Sequence, residues 1–167
     1  MGEIFTGSEI VQAGIQIEIN GRDFYTALSR KATHEKAQKL FLFLAGEEEK
    51  HIAVFKAILD KTERYEPPEA YPGEYYSYMH ALAAEHVFTR KDTGETVARA
   101  AATDLEALEK ALGFEKDSIV FYEGMKQVVP AFDLKVVDQL IAQEKNHYLQ
   151  LSELKSTLTA TGGDSYG

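Results

Sequence analysis

The sequence contains no cysteine at all. It can therefore form no disulfide, no thiolate zinc site and no cysteine-ligated iron centre, and it has no cysteine nucleophile. Positive charge is also scarce, with 18 Lys and Arg against 27 Asp and Glu and a formal net charge of −9. Because an acidic chain repels phosphate backbones, we do not expect a nucleic-acid partner.

Long apolar runs are missing as well. No window approaches the roughly 18 uninterrupted apolar residues of a membrane span, and the first residues lack the basic flank and apolar run of a signal peptide. These absences predict a cytoplasmic protein that does not contact a membrane. The 167 residues, 44% of them hydrophobic, are enough for one compact domain over residues 1–167.

What the sequence does have is helical periodicity. Residues 8–32 and 34–64 carry apolar side chains at spacings of three and four, which predicts an antiparallel helical hairpin over 8–64. A second hairpin is predicted over 103–159, with Thr103 and Glu106 as the capping box of its first helix and a break at 124–130. Residues 160–167 are expected to form a frayed tail.

Residues 65–103 differ from both hairpins. Prolines and glycines interrupt the helical pattern there, and tyrosines cluster at 65, 71, 75, 76 and 78. We expect a long crossover that contains a short helix near 74–86, with the tyrosines covering the bundle or packing in a dimer contact. The sequence therefore predicts an all-α four-helix bundle with a long crossover between helices 2 and 3.

The two hairpins repeat one another. A Glu followed at the same spacing by Phe-Tyr recurs 97 residues later, and a Glu-x-x-His motif recurs 96 residues later. A single Glu-x-x-His is a weak signal, but two in register with repeated Glu on the neighbouring helices are a strong one. The repeated positions are Glu18, Tyr25, Glu48 and His51 in the first hairpin, and Glu115, Tyr122, Glu144 and His147 in the second.

The repeated Glu and His positions interrupt otherwise apolar helix faces. Four carboxylates are therefore predicted to point into one core, where they would repel one another strongly unless protonated or neutralised. Two divalent cations would balance their charge, and two imidazoles would complete an oxygen and nitrogen donor set suited to iron, manganese or zinc. The alternative is a structural network of ion pairs without metal.

On this ligand pattern and on the string Glu115-Lys-Asp-Ser-Ile-Val-Phe-Tyr122, the chain resembles the rubrerythrin-like branch of the ferritin-like di-iron carboxylate family. The resemblance covers nearly all of residues 8–158. It implies a ferritin-like four-helix bundle that binds two iron ions, with manganese or zinc as substitutes. It also implies terminal carboxylates at Glu18 and Glu115, bridging carboxylates at Glu48 and Glu144, and imidazole ligands at His51 and His147.

The activity implied by the resemblance is that of a non-haem di-iron oxidoreductase that reduces peroxide or O₂ in oxidative-stress defence. Two alternatives remain: an iron-binding ferroxidase for iron storage or transfer, and a non-catalytic metal-binding bundle. Rubrerythrins also have a cysteine-ligated rubredoxin domain, whereas this chain has no cysteine, so a separate electron donor is expected. A homodimer or higher oligomer is expected as well.

A second departure lies in the third long helix. Rubrerythrins carry an extra Glu one turn from the ligand there, where this chain has Leu112 and Ser118. A redox-dependent ligand exchange through that Glu is therefore not expected. Gly21 and Ser118 could leave space beside the cluster or serve a helix contact.

Four further side chains are candidates for roles near the metals. Tyr25 and Tyr122 have two interpretations, as core packing and as catalytic groups that contact the ligands. His80 and His86, on the crossover, are not expected to bind metal.

Overall fold

The computed structural model describes residues 7–64 and 73–161, and these residues contain α-helices and short 3₁₀ turns but no strand. This confirms the all-α prediction. The six helices of the described residues are α1 (Gly7–Lys31), α2 (Glu35–Arg64), α3 (Gly73–Glu85), α4 (Gly94–Ala100), α5 (Asp104–Met125) and α6 (Leu134–Thr161). None of them is both long and apolar enough to cross a bilayer.

The four long helices α1, α2, α5 and α6 form the bundle, as the periodicity predicts. Their apolar faces meet in a core that includes Phe24, Phe41, Phe55 and Phe121, all fully buried. Burial of such a side chain contributes about 1.5–3 kcal/mol. The helix ends also agree closely with the prediction, although α6 continues to Thr161 and the rest of the predicted frayed tail, 162–167, lies outside the described residues.

The start of α5 is fixed by the predicted capping box. The Thr103 side chain accepts a hydrogen bond from the backbone N–H of Glu106 at 3.0 Å, and the Glu106 carboxylate accepts one from the backbone N–H of Ala102 at 2.7 Å. Asp104, the first residue of α5, is fully buried and accepts hydrogen bonds from the backbone N–H groups of Thr33 and His34. The turn between α1 and α2 is thereby tied to the start of α5.

The crossover is more regular than the sequence suggested. The short helix expected near 74–86 is α3. Helix α4 departs from the prediction, because the glycine at 94 indicates a break in the helical pattern of the sequence. Gly94 instead begins α4 at the point where it touches α1, and a Cβ there would overlap the backbone oxygen of Asn20. The glycine permits this close approach between the two helices.

Asn20 fastens the crossover to α1. Its Nδ2 donates hydrogen bonds to the carbonyl oxygens of Phe88 and Arg90 at 2.7 and 2.5 Å, and its Oδ1 accepts from the backbone N–H groups of Thr93 and Gly94, both at 3.2 Å. The side chain is fully buried. Its hydrogen bonds satisfy four backbone groups of the crossover, so one residue of α1 sets the path of residues 88–94.

The tyrosine cluster divides in the structure. Tyr75 is buried and donates a hydrogen bond from its hydroxyl to the carbonyl oxygen of Gly124 at 2.6 Å, whereas Tyr78 is exposed. Tyr76 packs against the ring of Tyr75. Tyr65 and Tyr71 lie outside the described residues. Tyr75 therefore covers the end of α5, as expected for a side chain that closes the bundle.

Candidate metal centre

The six predicted ligand residues come together inside the bundle. All six are at most 2% exposed, and their potential ligand atoms form two clusters in which the atoms lie within 4.8 Å of one another. Glu48 and Glu144 belong to both clusters, the position that a bridging carboxylate occupies. The first cluster is Glu18, Glu48, His51 and Glu144, and the second is Glu48, Glu115, Glu144 and His147.

Helix geometry explains why each long helix contributes as it does. In α2 and α6 the Glu and His of the motif are three residues apart, so both side chains leave the same face of the helix. Helices α1 and α5 each add one Glu from the facing side of the core. The sequence offset that relates the hairpins also exchanges the two clusters, so the internal repeat appears in three dimensions as a twofold arrangement of ligands.

Each of the carboxylates from α1 and α5 is held by a tyrosine of the other helix. The hydroxyl of Tyr122 donates to Oε1 of Glu18 at 2.5 Å, and the hydroxyl of Tyr25 donates to Oε1 of Glu115 at 2.6 Å. Burial, together with the nearby carboxylates, raises the pKa of both tyrosines well above the usual value, so both remain neutral donors. Both rings are also packed in the core, so the two sequence interpretations are compatible.

Most of the other polar atoms of the cluster form no hydrogen bond. Among the described residues, eight of the ten buried side-chain N and O atoms without a hydrogen bond belong to these six side chains. A buried polar atom without a hydrogen bond is costly, so eight that face one core fit a site that binds cations or several protons. The eight are Oε2 of Glu18, Oε2 of Glu115, both carboxylate oxygens of Glu48 and of Glu144, and Nδ1 of His51 and of His147.

The imidazole of His51 can carry positive charge that offsets the charge of the carboxylates. Its Nδ1 lies 2.8 Å from Oε1 of Glu144 and 3.6 Å from Oε2 of Glu18. Burial by itself would lower the pKa of His51, but contact with Glu144 and Glu18 outweighs burial and raises the pKa to about 11. The proton on Nδ1 therefore occupies a position that a metal ion would have to take from it.

Burial and neighbouring charged groups also determine the pKa values of the carboxylates. Burial and the negative charge of Glu144 raise the pKa of Glu18 from 4.5 to about 7, and they raise that of Glu115 as well. Burial would also raise the pKa of Glu144, but its close contacts with Glu115, His147 and His51 outweigh burial and hold that pKa below the usual range. The metal-free cluster thus relieves its repulsion by binding protons, as expected of a site that fits cations.

Gly21 leaves space beside the cluster. A Cβ there would lie 2.6 Å from Cζ of Phe114 and 3.4 Å from Oε2 of Glu48. Any larger residue would have to displace the Phe114 ring, whereas its contact with the carboxylate would be an ordinary one. Gly21 therefore lets Phe114 of α5 pack closely against α1 beside the cluster, which agrees with both interpretations.

Ser118 has a different partner from the cluster residues. It is fully buried, and its Oγ lies 3.3 Å from Nε2 of His86 on the crossover. Nδ1 of His86 accepts a hydrogen bond from the backbone N–H of Phe88 at 3.2 Å, and burial lowers the pKa of His86 to about 4. His86 is thus neutral and belongs to neither cluster.

One residue that forms a hydrogen bond with a predicted metal ligand could not be identified from the sequence. Nε2–H of His51 donates to Oε1 of Gln143 at 2.7 Å. Gln143 lies on the exposed side of α6, so periodicity alone marks it as an ordinary surface residue. Its position directly before Glu144 gave no signal either, because the matching position of α2 holds Glu47.

Comparison with known proteins agrees with this geometry. The family model described as Rubrerythrin matches residues 9–155. Among solved structures, the chain is similar to one from Thermotoga maritima described as a ferritin-like diiron-carboxylate protein, with 28% identity and a TM-score of 0.67. That similarity covers 93% of this chain and 98% of the other. No curated protein matches the chain.

Proposed function

Because the chain belongs to the rubrerythrin family, we propose that it is a non-haem di-iron oxidoreductase that reduces peroxide or O₂. The observation that supports this most directly is the pair of clusters that share Glu48 and Glu144 and whose inward-facing atoms have no partner. The site therefore fits two cations by its donor set, its burial and its charge.

The proposed ligand roles follow from the contacts. Glu48 and Glu144 would hold both ions, because each belongs to both clusters. Glu18 and Glu115 are terminal ligands, because a tyrosine holds one oxygen of each and leaves the other free. His51 and His147 complete the two sets through Nδ1. Two divalent iron ions balance the four carboxylates, and manganese or zinc could use the same donors.

Two bound iron ions would supply the two-electron Fe(II)/Fe(III) change that reduction of peroxide or O₂ requires. The protein's own part is to bind and to exclude water. Tyr25 and Tyr122 fix the orientation of the terminal carboxylates, and the buried core keeps bulk solvent from the cluster. Reduction of hydrogen peroxide to two waters also takes two protons, which the solvent provides.

The remaining parts of the proposal concern partners. A separate electron donor returns the two electrons, since the chain has no cysteine with which to hold an iron centre of its own. The high acidic content favours a protein that avoids nucleic acids. A cytoplasmic location, a role in oxidative-stress defence and assembly as a homodimer or higher oligomer complete the proposal.

Metal analysis and single-turnover mixing test this function. Protein purified without added metal, then loaded anaerobically with Fe(II), should bind two ions per chain, and mixing with H₂O₂ should oxidise both in one turnover. His147→Ala should lose one ion, whereas the control His34→Ala should keep both. Continued uptake of iron beyond two ions per chain in the presence of O₂ would instead favour storage. Full occupancy without oxidation would favour a non-catalytic bundle.

A further inference from the structure

The two halves of the cluster differ on the side where the imidazoles approach the surface. Nε2–H of His51 donates to Oε1 of Gln143, a side chain that reaches across from α6. The ring of His147 instead meets the ring of Phe43 on α2, with centroids 6.3 Å apart and planes at 86°. In the described part of the chain, no side chain accepts a hydrogen bond from His147 as Gln143 does from His51.

This difference matters for metal binding because an imidazole has two nitrogens. A side-chain amide oxygen only accepts, so Gln143 keeps a proton on Nε2 of His51 and leaves Nδ1 as the nitrogen that can bind a metal. The same contact fixes the plane of the ring, which is otherwise free to rotate about its side-chain bonds. The phenyl ring of Phe43 packs against His147 but can neither accept that proton nor choose between the two nitrogens.

We propose that Gln143 is a positioning residue that makes the Glu18 and His51 site the tighter of the two metal sites. This inference rests on the proposed function, because it presupposes that the cluster binds two ions. It goes further by assigning an order: the first ion enters beside His51, and the second completes the cluster beside His147. The repeat of the six ligands would by itself make the two sites equal. They differ because His51 contacts a glutamine, whereas His147 contacts a phenylalanine.

The position of Gln143 makes the inference testable. The residue is exposed on α6, so its replacement should leave the helix and the core intact. Gln139 lies one turn earlier on the same helix and is exposed as well, so Gln139→Leu is the matched control. Gln143→Leu removes the acceptor at similar size, and Gln143→Glu restores an acceptor.

The experiment is a titration of metal-free protein with Co(II), followed by calorimetry and visible absorption. The unaltered protein should bind two ions in two steps. Gln143→Leu should weaken the tighter step by about 10- to 100-fold and leave the weaker step unchanged, whereas Gln143→Glu and Gln139→Leu should keep both. Equal weakening of both steps, or no weakening, would overturn the inference. Failure of the unaltered protein to bind Co(II) would instead contradict the proposed function.

A second measurement separates positioning from a merely structural effect. In ¹H–¹⁵N spectra of Zn(II)-loaded protein, the Nε2–H of His51 should give a signal that exchanges slowly with solvent. Gln143→Leu should speed that exchange, Gln143→Glu should restore slow exchange, and the signal of His147 should not respond. Thermal melts of all variants check that they remain folded. An unchanged His51 signal in folded Gln143→Leu would also overturn the inference.

Discussion

At the scale of single residues, Glu48 has the least compensated charge in the cluster. Both of its oxygens lack a hydrogen bond and lie 4.0 Å from the nearest imidazole nitrogen, whereas Glu18 and Glu115 each accept a hydrogen bond from a tyrosine and Glu144 lies 2.8 Å from Nδ1 of His51. A metal pair would use both oxygens. In the metal-free protein the same carboxylate faces the other three carboxylates and has only imidazoles at 4.0 Å to offset their repulsion, so it is the residue at which the requirements of stability and of metal binding conflict most.

Glu48→Gln separates these two requirements. The amide keeps the shape and removes the charge, so we expect the metal-free protein to gain about 1–2 kcal/mol in free energy of unfolding. The same variant should bind no more than one ion per chain. Denaturant unfolding of the metal-free forms measures the gain, with Glu153→Gln on the exposed side of α6 as the control. A loss of stability in metal-free Glu48→Gln would mean that this carboxylate is not buried against like charges.

At the scale of elements, the crossover is held by a few polar contacts with α1. Asn20 satisfies backbone groups at Phe88, Arg90, Thr93 and Gly94, and Lys31 donates to the carbonyl oxygen of Arg99 at the end of α4. The ring of His86, from the same segment, packs at 6.0 Å from that of Phe114, the ring that fills the space beside Gly21. The path of the crossover therefore affects the packing beside the cluster.

Asn20→Ala should loosen this segment more than the bundle. The variant leaves buried backbone donors and acceptors without partners, and we expect a loss of about 2–4 kcal/mol in free energy of unfolding. Amide hydrogen exchange should accelerate mainly at residues 86–98 and much less in α2 and α6. Asn146→Ala, on the exposed side of α6, serves as the comparison and should change neither quantity. Uniform acceleration across all helices would contradict a local role.

At the scale of the whole molecule, the cluster couples folding to pH and to metal. The metal-free fold holds protons that the unfolded chain would release, because the pKa of Glu18 is raised to about 7 and that of Glu115 is raised as well. The raised pKa of His51 acts in the same direction above its ordinary value of 6.5. The depressed pKa of Glu144 contributes no slope near neutrality, because that group is ionised in both states there.

Metal-free and metal-loaded protein should therefore show opposite pH dependence. Since the metal-free fold binds more protons than the unfolded chain, its stability should fall as pH rises from about 5 to 7, by about 1.4 kcal/mol per pH unit for each extra proton. The metal-loaded form should instead lose stability as pH falls, because protons displace the ions. Thermal melts of both forms across this range check the signs. Parallel slopes would show that the glutamates do not share one buried site.

The sequence by itself determined the all-α architecture, the two hairpins and the inward placement of the repeated Glu and His residues. All of these follow from local rules, because helical periodicity, a capping box and the spacing of a motif are properties of neighbouring residues. The family resemblance rests on the same local patterns. Residues as far apart as Glu18 and His147 could be placed in one core because each one interrupts an apolar face.

Only the tertiary structure decided which side chains meet across the bundle. Tyr122 contacts Glu18 across 104 positions of sequence, and Gln143 contacts His51 across 92. Asn20 holds the crossover against α1, and the second crossover helix could not be predicted because the sequence pattern around Gly94 indicates a break. Such contacts depend on the relative rotation and separation of helices, which no local periodicity encodes. The inequality of the two imidazole sites belongs to this second class, because the repeat makes the six ligands equal in sequence and only the packing of α2 against α6 shows that Gln143 meets His51 while Phe43 meets His147.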